Sequence, residues 1–313
     1  MTRRPLGKSG LAVSPIALGT WAMGGDVASW GHVDDNESIA TIQKAEDLGI
    51  NLIDTAPIYG HGHAEEIVGK ALRGRRDRWV VATKCGLLPG ADEDALPRRC
   101  LSFDSITQEC DQSLRRLGID CIDIYQCHWP DPETSIRETM EAMTSLLEFG
   151  KIRAIGLSNF GCERMAAARE FGPVGVAQIS FSMLHRRAAS DLLPYCVEHD
   201  MGALAHGPLS KGLLTGKFRE DSEFTDVRAS DREFIGNRYL DNLRKVEQLK
   251  AIARRHDKTV AQLALNWAVQ QPGVTAAIVG AKRPSQIMEN AGAVGWSIRL
   301  DDTPAIDRIL EEA

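Results

Sequence analysis

Short apolar runs and amphipathic segments alternate along the 313 residues of this chain. The apolar runs predict eight strands, which end near Gly19, Asp54, Lys84, His128, Ser158, Gln178, His206 and Val279. The segments between them predict helices over 34–48, 64–72, 105–117, 134–149, 161–171, 191–199, 238–270 and 284–293. Strict alternation of strand and helix favours a parallel sheet. Eight such units predict an α/β fold, a closed (β/α)₈ TIM barrel, with one domain over residues 1–313.

An open, doubly wound sheet is the alternative, but no Gly-x-Gly-x-x-Gly turn follows the first strand. Three segments depart from the regular pattern. Residues 11–13 and 16–18, joined at Ser14-Pro15, suggest a short N-terminal β-hairpin at the barrel floor. Two long connections, 85–104 and 207–237, follow barrel strands, so we expect them to overhang the active face.

The composition of the chain limits the kinds of partner and cellular compartment that we expect. The chain has 37 Lys and Arg against 43 Asp and Glu, a net charge of −6, so nucleic acid is not an expected partner. Its 7 Cys form no Cys-x-x-Cys pair, which favours reduced thiols. Residues 1–7 lack the apolar run of a signal peptide, and no stretch is long and apolar enough to span a membrane. These features predict a cytoplasmic protein of undetermined oligomeric state.

Four reactive side chains lie at or just after predicted strand ends. Asp54, Lys84 and His128 each end an apolar run, and Tyr59 follows Asp54 in the next loop. The carboxyl ends of parallel barrel strands open onto one face, so we expect the four to converge. A phenol there can protonate a carbonyl oxygen while a hydride reaches its carbon. We expect Lys84 to lower the pKa of Tyr59, and Asp54 to orient Lys84.

Taken singly, these residues have ordinary explanations: a turn tyrosine, a capping aspartate and a surface lysine. Together, their segments resemble the aldo-keto reductase family. The resemblance is carried by Asn51-Leu52-Ile53-Asp54-Thr55-Ala56 with Tyr59-Gly60, by Thr83-Lys84, and by Cys127-His128-Trp129-Pro130-Asp131. It continues to about residue 290. It implies that Tyr59 is the proton donor, supported by Asp54, Lys84 and His128.

A second segment suggests a phosphate site. Gly280, Lys282 and Arg283 lead into the last predicted helix, whose free N–H groups attract phosphate. The two cations suit a 2′-phosphate, which distinguishes NADP from NAD. A basic helix cap exposed to solvent is the alternative. The resemblance places the adenine end of the cofactor at Gln286, Glu289 and Asn290.

The resemblance also assigns the other end of the cofactor. It implies that Ser158, Asn159 and Gln178 hold the nicotinamide amide, and that Ser210 lies at the pyrophosphate. His206 departs from the family, which commonly has a large aromatic residue stacked on the nicotinamide there. An imidazole can stack too, and near its ordinary pKa of about 6.5 protonation would repel the positive ring of NADP⁺.

The resemblance places Trp21 and Trp129 in the substrate pocket, although each can be read as a core aromatic. His61 and His63 form a His-x-His pair that can bind metal, but we expect no metal, since predicted strands end in Ser158 and Gln178. Cys127 reads as a buried apolar side chain rather than a redox thiol.

The sequence therefore predicts an NADP(H)-dependent oxidoreductase that reduces an aldehyde or ketone to an alcohol, or runs the reverse reaction. Its expected partner is a small carbonyl or alcohol substrate, whose identity the loops do not reveal. Two alternatives remain: an NADP(H)-binding redox sensor or channel-associated subunit with little turnover, and a metal-dependent hydrolase barrel.

Overall fold

The computed structural model describes residues 1–25, 30–90 and 96–311. Eight parallel strands close into a barrel: β1 (Ile16–Gly19), β2 (Leu52–Asp54), β3 (Val80–Cys85), β4 (Ile122–Cys127), β5 (Ile152–Ser158), β6 (Val174–Ser180), β7 (Gly202–His206) and β8 (Val274–Gly280). Neighbours pair in chain order, and β8 closes the ring against β1, with Gly280 opposite Gly19. The predicted (β/α)₈ barrel is confirmed.

The barrel interior is packed with small and branched side chains. Successive residues of a strand point alternately inward and outward. The inward apolar layer comprises Ala17, Leu52, Val80, Ala82, Ile124, Ala154, Val176, Leu204, Ala276 and Ile278. Two positions further along four of these strands, the residues of the same parity are polar: Asp54, Lys84, Gln126 and Gln178. The alternation therefore places a polar layer directly above an apolar one, toward the carboxyl ends.

Ten helices surround the barrel in the described part of the chain. They are α1 (Asp35–Asp47), α2 (His63–Ala71), α3 (Phe103–Leu117), α4 (Ile136–Glu148), α5 (Cys162–Arg169), α6 (Leu192–Glu198), α7 (Gly236–Arg254), α8 (Val260–Gln270), α9 (Pro284–Ala291) and α10 (Thr303–Glu311). The buried faces of α2, α3 and α4 pack on the outward residues of the strands in the largest hydrophobic cluster. The short helix α10 was not predicted.

The single helix predicted over 238–270 is wrong, because the chain turns between α7 and α8. Asp257 adopts the left-handed conformation, with φ of 55°. Thr259 then starts α8 with a capping box: its hydroxyl accepts the N–H of Gln262, and the Gln262 side chain accepts the N–H of Thr259. This reciprocal pairing satisfies N–H groups that a helix start leaves open.

A hairpin does lie at the floor, and the predicted segment 11–13 supplies one of its strands, but the predicted partner over 16–18 is wrong. Arg4–Pro5 pairs antiparallel with Ala12–Val13, whereas Ile16–Gly19 is the first barrel strand. The chain enters the barrel at Ser14, whose N–H donates to Asn51 Oδ1 at 2.7 Å. Val13, from the hairpin, belongs to the same apolar cluster as the barrel interior. The hairpin therefore closes the barrel at the end opposite the polar layer.

The two long connections contain structure of their own. In 85–104, Leu87–Leu88 pairs with Arg98–Arg99. In 207–237, two short 3₁₀ segments, Ser210–Thr215 and Arg232–Phe234, flank a cluster of aromatic side chains.

Within the three described stretches of the chain, no helix combines the length and apolarity needed to cross a lipid bilayer.

Thr259→Ala should lower the free energy of unfolding by about 1 kcal/mol, because it removes the capping oxygen of α8. Urea denaturation measures this difference. Thr107→Ala is the matched control: the Thr107 hydroxyl bonds only to carbonyls of its own helix, so its loss should not destabilise the protein. Equal destabilisation by both substitutions would contradict the capping role.

Candidate functional site

Asp54, Tyr59 and Lys84 meet above the apolar layer, at the carboxyl ends of β2 and β3. Lys84 Nζ lies 2.7 Å from Asp54 Oδ2 and 3.3 Å from the Tyr59 hydroxyl. His128 directly follows β4, and its ring stands edge-on to the Tyr59 ring with the centroids 6.0 Å apart. The structure thus brings together the four side chains that the strand ends suggested.

Lys84 is fully buried, and its ammonium is saturated by oxygen atoms. Besides Asp54 and Tyr59, it donates to the carbonyl of Thr55 at 2.9 Å. Burial alone lowers the pKa of Lys84, but Asp54 and Tyr59 outweigh it and hold that pKa above its ordinary value. Lys84 is therefore a permanent cation at the floor of the site.

Two amides hold the other carboxylate oxygen of Asp54. Gln178 Nε2 donates to Asp54 Oδ1 at 2.7 Å and Gln126 Nε2 at 3.3 Å. Gln126 was not predicted, although it is an inward polar residue in an otherwise apolar strand, which is a readable signal. A Cβ on Gly156 would lie 2.7 Å from Gln126 Cγ, so the glycine in β5 makes room for this side chain.

The expected lowering of the Tyr59 pKa is reversed in the structure. Burial of the phenol is the largest influence and raises its pKa, while Lys84 lowers it by less. The net direction is upward, so Tyr59 stays protonated at neutral pH. A protonated phenol is the form needed by a proton donor.

Both histidines at the site are neutral for the same reasons. Burial, and then the charge of Lys84, hold the pKa of His128 well below its ordinary value. Burial followed by Lys84 lowers the pKa of His206 to about 4. The expectation that His206 titrates near 6.5 is therefore wrong. A neutral imidazole can donate one hydrogen bond without adding a second charge beside Lys84.

The residues that the resemblance assigns to the nicotinamide lie close to one another, and Asn159 contacts several of its neighbours. Asn159 adopts φ of 63°, and its Nδ2 donates to the His128 carbonyl at 3.0 Å and to Ser158 Oγ at 3.1 Å. Its Oδ1 lies 3.2 Å from His206 Nε2. Gln178 is at the same end of the barrel but is turned to Asp54. Ser158, Asn159 and His206 are thus contiguous, with Gln178 beneath them.

The start of α9 carries the two cations that were predicted to bind a phosphate. Lys282 Nζ donates to the carbonyl of Trp30, and Arg283 is 67% exposed, with Nε 3.7 Å from Glu37 Oε1. Gln286 Oε1 accepts the N–H of Lys282 at 2.7 Å.

Near Lys282, two further cations were missed by the sequence reasoning. Burial lowers the pKa of both Lys282 and Lys217, and the nearby Arg228 charge lowers each further. Arg228 also lies over the Trp30 ring, with its Cζ 5.5 Å from the centroid. The indole N–H of Trp30 is buried and has no acceptor among the described residues. Lys217 and Arg228 lie in the irregular connection 207–237, which has no hydrophobic periodicity from which their positions could be predicted.

Three further residues that the resemblance assigns to the cofactor are Glu289, Asn290 and Ser210. Asn290 Nδ2 reaches the Gly280 carbonyl at 3.5 Å, joining α9 to the end of β8, and the side chain of Glu289 is exposed. Ser210 Oγ lies 2.8 Å from Ser182 Oγ. Ser210 and Lys211 both have positive φ, 47° and 52°, a strain that persists mostly at ligand and switch sites.

Two tryptophans stand at the mouth of the site. Trp21 and Trp129 are each 38% exposed. Trp21 stacks on Tyr59 with centroids 6.1 Å apart, and Trp129 packs under the guanidinium of Arg99. Exposed aromatic surface beside a phenol suits a small, partly apolar substrate.

The His-x-His pair does not form a metal cluster with other residues. His63 Nε2 pairs with Asp35 Oδ1 at 2.8 Å, at the outer edge of α2. In residues 1–25, 30–90 and 96–311, no group of three His, Cys, Asp or Glu side chains is arranged to hold a metal ion. Cys127 is buried and belongs to the largest hydrophobic cluster.

Known proteins are similar to this chain in sequence and in shape. A sequence model of the Aldo/keto reductase family matches residues 15–311. Aldo-keto reductase YhdN of Bacillus subtilis (strain 168) is 42% identical over 308 residues, covering 97% of this chain and 92% of the relative. The NADH-specific methylglyoxal reductase of Escherichia coli (strain K12) is 37% identical over 316 residues, covering 97% and 96%.

A third relative is the probable voltage-gated potassium channel subunit beta of Arabidopsis thaliana, which is 36% identical and covers 94% of this chain and 91% of its own length. Among solved structures, the glycerol dehydrogenase AKR11B4 from Gluconobacter oxydans superposes with a TM-score of 0.91 at 40% identity, covering 99% and 94%. A family match over nearly the whole length, on a barrel of the same shape, places this chain in the aldo/keto reductase family of oxidoreductases.

Proposed function

We propose that this protein is an NADP(H)-dependent oxidoreductase that reduces an aldehyde or ketone to an alcohol, or runs the reverse reaction, on a small substrate in the cytoplasm. One observation carries the proposal: a buried ammonium, Lys84 Nζ, lies within hydrogen-bond distance of both the Asp54 carboxylate and the Tyr59 hydroxyl. That arrangement suits a phenol that must give up a proton and be left as phenolate.

The residues divide the work as follows. Tyr59 donates its proton to the substrate oxygen, and the resulting phenolate is stabilised by Lys84. Neutral His128 donates a hydrogen bond to the same oxygen, and the amides of Gln126 and Gln178 keep Asp54 turned toward Lys84. A nicotinamide cofactor held at this site would supply the hydride. The four groups Tyr59, Lys84, His128 and Asp54 are held in position before the substrate arrives, and such preorganisation is usually the largest contribution to catalysis.

The described residues fit a dinucleotide with a 2′-phosphate. Lys217, Arg228 and Lys282 form a cationic cluster, and Arg283 lies beside it at the start of α9. We assign this end, together with Gly280, to the 2′-phosphate, with Gln286, Glu289 and Asn290 around the adenine. Ser158, Asn159, Gln178 and His206 would hold the nicotinamide, with Ser210 at the pyrophosphate.

A second candidate function is regulatory. The similarity to the Arabidopsis channel subunit favours a cofactor-binding subunit with little turnover. Steady-state oxidation of NADPH by a panel of reactive aldehydes separates the two. Turnover with several aldehydes supports the enzyme, whereas tight NADPH binding without turnover supports the regulatory subunit.

Tyr59→Phe should lower the rate of aldehyde reduction by roughly 10²–10⁴-fold, the usual contribution of a positioned general acid. Only the hydroxyl is lost, so the dissociation constant for NADPH should stay unchanged. Tyr195→Phe on α6 is the matched control, since that hydroxyl accepts only from Arg169, and it should retain full activity. Near wild-type reduction by the Tyr59 variant would exclude it as the donor.

The preference for NADPH should depend on Lys282 and Arg283. Charge-assisted bonds to a phosphate contribute about 1.5–3 kcal/mol each. Lys282→Ala/Arg283→Ala should therefore weaken NADPH binding by roughly 10²-fold or more and leave NADH binding nearly unchanged.

Arg115→Ala/Arg164→Ala removes the same charge from exposed positions on α3 and α5 and is the control for cofactor binding. This control should change the dissociation constants of NADPH and NADH only by the small amount that the loss of two positive charges elsewhere on the surface causes. Equal losses for NADPH and NADH in the Lys282 and Arg283 variant would show that these side chains do not read the 2′-phosphate.

Protonation of His206 should cause no pH dependence in the binding of oxidised cofactor between pH 5.5 and 8. Its pKa of about 4 keeps the imidazole neutral over that range, so repulsion of the NADP⁺ ring should appear only as the pH falls toward 4. The quantity to measure is the ratio of the NADP⁺ and NADPH dissociation constants, in which phosphate titration cancels. A midpoint near 6.5 that disappears in His206→Tyr would contradict the lowered pKa.

A further inference from the structure

Glu109 is a buried carboxylate that the chemistry above does not use. It lies on α3 and is 6% exposed. Both of its oxygens accept the backbone N–H of Gly86 at 3.1 Å, and Ser105 Oγ donates to Oε1 at 3.0 Å. A burial this complete opposes ionisation, yet the group receives two donors suited to a carboxylate.

The peptide that Glu109 holds connects two residues of the proposed site. Gly86 N–H and Cys85 C=O belong to one trans peptide, and the Cys85 carbonyl accepts the N–H of His128 at 2.9 Å. Lys84 directly precedes this peptide. One peptide unit therefore lies between Glu109 on one side and the backbone of His128 on the other. Hydrogen bonds in such a chain polarise and strengthen one another.

The chain of contacts continues across the site. The His128 carbonyl accepts from Asn159 Nδ2, and Asn159 Oδ1 contacts His206 Nε2. The charge on Glu109 thus stands at the outer end of a hydrogen-bonded path that runs through the backbone of His128 to His206.

The segment around Gly86 has little freedom to move. Gly86 has φ of 81°, and a Cβ there would lie 2.2 Å from Leu101 Cδ2. Its carbonyl accepts the N–H of Cys100, and Leu101 N–H donates to Asp131 Oδ2 at 2.9 Å. The turn is fixed on its loop side by these contacts and on its helix side by Glu109.

We propose that Glu109 is a positioning residue for the reaction proposed above: its carboxylate fixes the Cys85–Gly86 peptide and, through it, Lys84 and His128, so that hydride transfer is fast only when Glu109 is ionised. The inference rests on the proposed function and assigns a role outside the reacting atoms.

Charged and titratable groups reach Glu109 from each neighbouring element. They are Glu65 on α2, Arg116 on α3, Cys85 on β3 and Tyr125 on β4. Burial raises the pKa of Glu109 to about 7, against the opposing hydrogen bonds from Gly86 and Ser105. Arg116 assists little, because its Nε is bonded to Glu65 at 2.6 Å.

Because the pKa of Glu109 is raised, stability and activity should change in opposite directions as the pH rises. In the unfolded chain Glu109 ionises near 4.5, and in the folded protein near 7. The folded state therefore binds the extra proton between these values, so this group's contribution to stability falls as the pH rises from about 4.5 to 7. At pH 8, the ionised carboxylate weakens the fold. Glu109→Gln removes that charge and keeps an acceptor for Gly86.

The experiment measures single-turnover hydride transfer from NADPH to 4-nitrobenzaldehyde between pH 5.5 and 9. In the wild type the rate should rise with pH through a midpoint near 7. Glu109→Gln should be roughly 10-fold slower at pH 8, as small misplacements of reacting groups are costly, and should lose the midpoint. Urea denaturation at pH 8 should find this variant at least as stable as the wild type.

Ser105→Ala is the matched variant that keeps the carboxylate. It removes a donor that lowers the pKa of Glu109, so the midpoint of the rate should move to higher pH while the plateau stays near the wild-type value. A Glu109→Gln variant that keeps the wild-type rate and midpoint would overturn the proposal. So would a slow variant that is destabilised in proportion and keeps the midpoint, since that pattern describes a structural residue.

A separate readout does not depend on turnover. The backbone amide resonances of Gly86 and His128 should titrate with a midpoint near 7 in the NADPH complex and stay flat in Glu109→Gln. Absence of hydride transfer in the wild type would refute the proposed function, and flat wild-type resonances would refute the role of Glu109.

Discussion

The buried ion pair of Lys84 and Asp54 is the constraint around which the site is built. Taking both charges out of water costs several kcal/mol for each ion, and the pair is stable only if its remaining hydrogen-bonding capacity is satisfied. The barrel meets this requirement with oxygens from Thr55 and Tyr59 around Lys84, and with amides from Gln126 and Gln178 on Asp54. These partners come from two strands, β4 and β6, and from the loop after β2, so the pair has all of them only in the closed sheet.

Burial and the charge of Lys84 act together on the three neighbouring rings, Tyr59, His128 and His206. The Lys84 charge opposes protonation of His128 and His206, both of which burial already keeps neutral. It lowers the pKa of Tyr59, but by less than burial raises it. The result is a resting site with one cation, one anion and three neutral rings. In the proposed reaction, the only new anion is the phenolate, and it forms beside the cation that is already present.

The sequence predicted the parts of the molecule that follow from periodicity. Strand ends near Asp54, Lys84 and His128 could be located because apolar runs stop there, and the geometry of a parallel barrel made their convergence an expectation. The turn between α7 and α8 had a readable signal as well, the Thr259-x-x-Gln262 capping box, which continuous helical spacing over 238–270 obscured. Gln126 was visible in the same way, as an inward polar residue.

Other features were beyond sequence reasoning because they depend on burial and on contacts between distant segments. The upward shift of the Tyr59 pKa depends on the balance between burial and the charge of Lys84, and no local pattern encodes that balance. The cationic cluster of Lys217, Arg228 and Lys282 joins an irregular loop to the start of α9. In the sequence, Glu109 is one acidic position within the helix predicted over 105–117, and only the fold places it against the Gly86 peptide.

These contacts show how the barrel separates two tasks along one strand. The inward residue Lys84 faces the proposed site. The residues near it in the chain are held from outside the barrel: the Thr83 hydroxyl donates to Glu65 on α2 at 2.6 Å, and the Gly86 amide donates to Glu109 on α3. Both outer carboxylates are buried, and such groups commonly oppose folding unless well paired. Glu65 is paired with Arg116. Glu109 has no such ion pair among the described residues, so its ionisation at neutral pH is opposed by the same burial that brings it into contact with the Gly86 peptide at the end of β3.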